Sequence, residues 1–207
     1  MKTFIKFAVA LVALTATSVF AQPYIGASAG RVDHKQNRAD WQPAVGSTAY
    51  EDIDTGFKLF GGYKFNQYFG VEGGYNYLGQ YTASPTSGAS VGKAVIKTDA
   101  WNVFAVGTVP LPADFSLFGK LGVSSNYSKM NFSSNGGAFA TNDAGTARKT
   151  SVAWGLGGAY AFNKNVSVRI EYEDFGKAGE TNNGFRTATK TSDSKPRLIS
   201  AGVVYTF

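Results

Sequence analysis

The sequence predicts an all-β fold, an eight-stranded antiparallel up-and-down transmembrane β-barrel, and three observations carry that expectation. Large apolar residues alternate with small or polar ones through eight segments, the period-two signature of strands. The connections between those segments alternate between short and long, as in a meander closed on itself. The chain also opens on an export signal and contains no cysteine, so pairing and packing must hold it without disulfides.

The opening MKTFIKFAVALVALTATSVFAQ has two lysines, Lys2 and Lys6, an apolar run from Phe7 to Leu14, and Val19 and Ala21 at the small-residue positions of a cleavage site. Residues 1–21 read as a secretory signal, because the run is shorter than the roughly 20 apolar residues of a membrane-spanning helix. Residues 22–207 then form one domain with no later helical span. The formal net charge of +6 is scattered along the chain, which argues against a nucleic-acid partner.

The first strand, YIGASAG, sets Ile25, Ala27 and Ala29 against Tyr24, Gly26, Ser28 and Gly30. GGYKFNQYFGVEGGY, Gly61 to Tyr75, is a hairpin about FNQY: Phe57, Leu59 and Tyr63 share a face on the first arm, and Phe69, Val71, Tyr75 and Tyr77 on the second. WNVFAVGTV alternates Trp101, Val103, Ala105 and Val109 with Asn102, Phe104, Val106 and Thr108. After the PLPAD turn, Phe115, Leu117, Leu121 and Val123 oppose Ser116, Phe118, Lys120, Gly122 and Ser124. Val152, Trp154, Leu156, Tyr160 and Phe162 alternate with Ser151, Ala153, Gly155, Gly157 and Ala159. Past NKN, Val166, Val168, Ile170 and Tyr172 oppose Ser167, Arg169, Glu171 and Glu173, and the last segment sets Ile199, Ala201, Val203, Tyr205 and Phe207 against Leu198, Ser200, Gly202, Val204 and Thr206. Residues 66–67, 110–114 and 163–165 are short turns, whereas 32–52, 79–98, 128–149 and 176–196 are polar and are expected to be four long loops at one end.

Alternation alone does not say which face is inside. An eight-strand barrel has room only for side chains, and the polar face is the one rich in glycine, so that face is expected inward and the apolar face against lipid. Aromatics on the apolar face gather in two girdles: Tyr63, Phe69, Phe115, Phe162, Tyr205 and Phe207 by the short turns, and Tyr77, Trp101, Tyr127, Trp154 and Tyr172 towards the long loops. Inward charges cannot stay unpaired at tolerable cost. Lys58, Lys120 and Arg169 are therefore expected to form an interior salt-bridge network with Glu72, Glu171 and Glu173.

GGYKFNQYFGVEGGYNYLG, SVRIEYEDF and LISAGVVYTF resemble the transmembrane domain of the OmpA family of outer-membrane proteins, and the resemblance covers residues 22–207. It implies a barrel in the bacterial outer membrane, insertion by the outer-membrane barrel assembly machinery, and contact with membrane lipids and lipopolysaccharide. Val203, Tyr205 and Phe207 resemble the C-terminal signal read by that machinery. Glu72 and Arg169 fall where the family has an inward acid and an inward arginine, with Glu171 following. Val106 and Ala159 stand where the best-known relative has a lysine and a glutamate, a departure from a gate of switching ion pairs. The sequence runs to Phe207, so the peptidoglycan-binding domain that follows the barrel in longer members is not expected, and the resemblance implies no cell-wall tether.

Three functional readings follow from the residues. The first is a structural and surface-display barrel whose loops meet a host or surface ligand. The second is a narrow ion or small-solute channel lined by the inward charges. The third is a lipid-modifying enzyme at the rim, for which the only histidine, His34 beside Asp33 in the first long loop, would have to serve as base. No catalytic, cofactor or metal residues are expected: Glu51, Asp52 and Asp54 could hold at most a weak surface calcium, and GASAG lacks a phosphate-binding lysine. Lys190, Lys195 and Arg197, at the loop end of the last strand, could meet anionic lipopolysaccharide headgroups.

Overall fold

The computed structural model describes residues 22–35, 47–51, 53–135, 143–178 and 194–207. The signal at 1–21, Asp52 and Lys190 lie outside the described residues, as does the side chain of Glu51. Nine strands follow in order: β1 (Gln22–Lys35), β2 (Ser47–Glu51), β3 (Ile53–Lys64), β4 (Phe69–Ser87), β5 (Ser90–Pro110), β6 (Phe115–Ser134), β7 (Asp143–Ala161), β8 (Val166–Asp174) and β9 (Lys195–Thr206). β2 and β3 both pair with β4 and form two lengths of one wall strand, so the wall has eight. All pairings are antiparallel, and the β1–β9 and β4–β5 ladders close the ring. Closure removes the unpaired edges that no strand can expose to lipid.

The turns at one end are built from local hydrogen bonds. The Asn66 side-chain oxygen accepts the backbone N–H groups of Tyr68 and Phe69, both at 2.8 Å, and the Asn163 oxygen does the same for Asn165 at 2.9 Å and Val166 at 2.8 Å. In PLPAD, Ala113 and Asp114 take positive φ of 59° and 62°, which reverses the chain within five residues.

The opposite end differs from the expectation of four long loops. β4 runs on to Ser87 and β5 starts at Ser90, so residues 79–98 are mostly a strand hairpin, and β6 continues to Ser134. A bulge at Leu78–Gly79 explains why the alternation breaks there. The ladder passes from Tyr77↔Asp99 to Gln80↔Lys97, and Gly79 has φ of 72°. Asp54 secures it, its carboxylate accepting Gln80 N–H at 2.8 Å and Thr55 N–H at 2.7 Å. Above the bulge the apolar residues Tyr81, Ala83, Ala94, Ile96, Met130 and Phe132 are buried on the inner face, while Thr82, Lys97 and Lys129 lie on the outer face. The pattern inverts relative to the lower wall, where Leu59, Leu121 and Ile170 are 64%, 64% and 66% exposed on the outside. Lipid outside requires apolar out, and water outside requires apolar in.

The narrow interior makes backbone approach tight. A Cβ on inward-facing Gly122 would lie 2.0 Å from the Val103 carbonyl oxygen, whereas one on outward-facing Gly107 would meet nothing within 4 Å. Gly122→Val is expected to destabilise the barrel by about 1–3 kcal/mol by overpacking, and Gly107→Val to fold normally. Urea refolding in detergent micelles, read as the gel-mobility shift between folded and unfolded forms, separates the two.

Candidate functional site: the charged barrel interior

Below the bulge the inward face of the wall carries six charges. Lys58 comes from β3, Glu72 from β4, Lys120 from β6, and Arg169, Glu171 and Glu173 from β8, and all are buried. They reach one another because the residues between them are small. In the ladder Lys120 pairs with Gly155, which pairs with Glu173, so the β7 glycine leaves the row open for the lysine to cross. A second row runs Lys58, Ser28, Gly202, Arg169 through β3, β1, β9 and β8. Side chains, not solvent, fill those gaps: a Cβ on Gly155 would lie 2.9 Å from Glu173 Cγ, and one on Gly157 2.5 Å from the Phe118 ring.

The six groups form one neutral cluster of three cations and three carboxylates. Lys58 Nζ lies 3.3, 3.0 and 2.8 Å from carboxylate oxygens of Glu72, Glu171 and Glu173. Lys120 Nζ lies 3.1 Å from Glu72 and 2.8 Å from Glu173, and is also paired with Glu171. Arg169 forks onto Glu72 at 2.7 and 3.2 Å and reaches Glu171 at 3.0 Å. The Tyr24 hydroxyl donates to Glu72 at 3.1 Å. One oxygen from each carboxylate lies within 4.8 Å of the others, a spacing that would suit a cation, and the two ammonium groups and the guanidinium already stand among them.

Aromatic rings close the cluster. The Arg169 guanidinium stacks 3.5 Å from the Phe60 ring centroid, Lys58 lies 4.9 Å from the same ring, and Lys120 sits 5.5 and 5.6 Å from Phe104 and Phe118. These inward aromatics and Tyr24 were not singled out as site residues in the sequence. Their signal is an aromatic at the parity otherwise held by glycine and charge. Towards the loop end, Val32, Leu78, Ala100, Phe175 and Leu198 form a fully buried apolar layer.

His34 corrects the expectation of a loop histidine. β1 continues inward-facing through Val32 to His34, which is fully buried beside Tyr81, ring centroids 5.4 Å apart. Its Nε2–H donates to the Leu78 carbonyl at 2.8 Å, the only role a carbonyl allows, and Ser194 Oγ lies 3.5 Å from Nδ1. Arg197 pairs with Asp174 at 3.0 Å across the β8–β9 ladder, and Lys195 is exposed beside it. Val106 faces Lys120 across the β5–β6 ladder and Ala159 faces Arg169 across β7–β8.

Outside, aromatic contacts collect at two heights. Tyr75 packs on Trp101 with centroids 5.1 Å apart and Trp154 on Tyr172 at 5.6 Å, with Tyr77 near Tyr75 on β4. At the turn end lie Tyr63, Phe69, Phe115 and Phe162, with Tyr205 edge-on to Phe207 at 5.1 Å. Val203, Tyr205 and Phe207 share the exposed face of the terminal strand.

Residues 20–207 match the family model of the OmpA-like transmembrane domain. The chain belongs to this family. Outer membrane protein A of Serratia marcescens is 29% identical over 218 residues, covering 100% of this chain and 56% of that protein. The Shigella flexneri protein of the same name is 30% identical over 215 residues, again covering 100% and 56%. The chain thus spans about half the length of the curated relatives it matches. Among solved structures, OprG of Pseudomonas aeruginosa superposes with a TM-score of 0.55 at 19% identity, covering 90% of this chain and 94% of that one. Ail of Yersinia pestis, solved with the heparin analogue sucrose octasulfate, gives 0.53 at 20% identity, covering 91% and 99%. These likenesses show the fold of a small outer-membrane barrel, and this OmpA-like barrel resides among the lipids of the bacterial outer membrane.

The cluster generates a stability prediction for the OmpA-like barrel. Glu72→Gln removes the carboxylate that Lys58, Lys120 and Arg169 share and leaves one cation uncompensated, so a loss of about 3–5 kcal/mol is expected. Adding Arg169→Met restores neutrality and is expected to recover part of that loss. Urea midpoints of the single and double variants in micelles check the sign of the coupling.

Proposed function

We propose that this protein is a closed structural barrel that reinforces the outer membrane and presents its raised hairpins and loops at the cell surface, without an open pore. The observation that carries this reading is the filled lumen: a neutral, fully buried charge cluster lies beneath an apolar layer that includes Phe175 and Leu198. Barrels of this strand number have interiors only wide enough for side chains. A structural role demands no catalytic constellation, and His34 is engaged in interior hydrogen bonding.

Residues 1–21 act as the export signal, and Val203, Tyr205 and Phe207 present the terminal strand to the assembly machinery. The two aromatic levels are girdles at the two headgroup layers. Eight residues separate Phe69 from Tyr77, Trp101 from Val109 and Trp154 from Phe162. At a tilt of roughly 40° this rises roughly 21 Å, close to the ~25 Å apolar band of such barrels. Lipopolysaccharide surrounds the loop end, with Lys195 and Arg197 at its rim. A host or surface ligand meets the protruding hairpins, a role that the heparin-analogue complex of Ail illustrates for a barrel of this fold.

A narrow channel is the second reading, favoured by one observation. Ser28, Asn102 and Ser200 carry buried side-chain polar atoms with no hydrogen-bond partner among the described residues, and they flank the charges on the inward face. Single-channel recording of the refolded protein in planar bilayers decides between the readings. Silence is expected for the wild type with folding verified, whereas discrete openings altered by Glu72→Ala would establish conduction. An epitope inserted at Gly88–Ala89, the exposed tip of the β4–β5 hairpin, is expected to be tolerated and to bind antibody on intact cells.

A further inference from the structure

We propose that the outer face of β5, β6 and β7, just beyond the upper aromatic level, is a binding surface for phosphorylated lipid headgroups. One ladder row crosses four strands as Gln80, Lys97, Lys129 and Thr146, and all four side chains are exposed. The next row towards the membrane is Asp99, Tyr127, Arg148. The two rows place three cations on a patch two strand positions deep.

The arrangement is unfavourable for the protein alone. Lys97 and Lys129 stand directly opposite on an antiparallel ladder, where like charges repel. Among the described residues, none of Lys97, Lys129 and Arg148 has an ion-pair partner. Asp99, the one acid in these rows, already accepts a hydrogen bond from Tyr75 at 2.8 Å. Lys129 and Arg148 instead lie 5.6 and 5.8 Å from the Tyr127 ring centroid, so one aromatic ring gathers the two cations. An external anion relieves the repulsion and completes the row, with Gln80 and Thr146 as further donors.

Height selects a membrane lipid as that anion. Lys97 lies four residues above Trp101 on the same face of β5. That is roughly 10 Å along the membrane normal at the tilt of such barrels, the depth of a headgroup layer beyond an interfacial tryptophan. The inference rests on the placement of the upper aromatic level at the headgroups, proposed above. Phosphates fixed in that layer meet the lysines without the cost of bringing a free ion from solution.

The test uses the refolded protein in nanodiscs of phosphatidylcholine, with diphosphorylated lipid A titrated in and bound lipid counted by native mass spectrometry. The double variant Lys97→Gln/Lys129→Gln is expected to lose lipid A affinity by roughly ten- to thirtyfold. Lys164→Gln, at a turn of the opposite end, is expected to bind as wild type. In phosphatidylcholine alone the double variant is expected to unfold at a urea concentration no lower than wild type, since the Lys97–Lys129 repulsion it loses offsets the exposed contact of Lys129 with the Tyr127 ring. Equal lipid A binding by wild type and double variant would overturn the proposal, as would a loss of stability in the neutral lipid. Displacement of lipid A by millimolar inorganic pyrophosphate would overturn the lipid assignment in favour of a free anion. Bromolipid quenching of a variant retaining Trp101 alone tests the depth separately: quenching at the acyl centre would sink the girdle placement whatever the binding result.

Discussion

An eight-strand ring leaves an interior only wide enough for side chains, and a charge placed there must be paired by opposite charges from the wall. That constraint organises the molecule. Glu72 can occupy the inward face of β4 because Lys58, Lys120 and Arg169 converge on it, and they converge because Gly155, Gly157 and Gly202 clear their paths. The charges balance as three against three, so the cluster needs no counterion. Desolvating six ions is costly, and buried clusters of this kind are poor stabilisers compared with an apolar fill. Their effect is to fix geometry, since each ion lies against partners from at least two other strands or from the far side of the ring.

The second organising boundary is the level of the bulge, where the inner face changes from ionic to apolar. Along β4 the buried residues change from Glu72, Asn76 and Leu78 to Tyr81 and Ala83 when the strand crosses the Gly79 bulge. The same side of the sheet that houses ions below the bulge houses an apolar core above it. One backbone ladder thereby serves two solvents, and the bulge shifts the alternation by one residue where the change occurs. The wall is also unequal in height: β4 to β7 have 19 to 21 residues and β8 only 9. The basic row of Lys97 and Lys129 stands on this taller side.

Much of this was legible in the residues and some was not. The wall below the bulge could be read because lipid forces a strict apolar-out alternation, as in Phe69, Val71, Tyr75 and Tyr77. The six inward charges could be listed from parity alone. Their mutual distances could not, since these depend on barrel register, which places Lys120, Gly155 and Glu173 in one row across three strands. The hairpin over residues 79–98 was hidden because its outer face is solvated and its composition, rich in Ser, Thr and Gly, matches that of a loop. His34 was hidden for the related reason that the polar sequence around it gives no sign that β1 continues. Phe60 and Phe118 can occupy the polar face because their rings lie against Arg169 and Lys120.

The proposed structural role stands on a lumen closed around a dry ionic cluster. Solvent exchange of the Lys58 and Lys120 ammonium protons tests it most directly, by nitrogen-15 NMR of lysine-labelled protein in micelles. Persistent ammonium signals are expected from these two lysines, exchanging far more slowly than those of exposed Lys97 and Lys129, with proximity contacts to the Glu171 and Glu173 side chains. Exchange at the rate of the exposed lysines would mean that water reaches the cluster, and the closed-barrel account would be wrong.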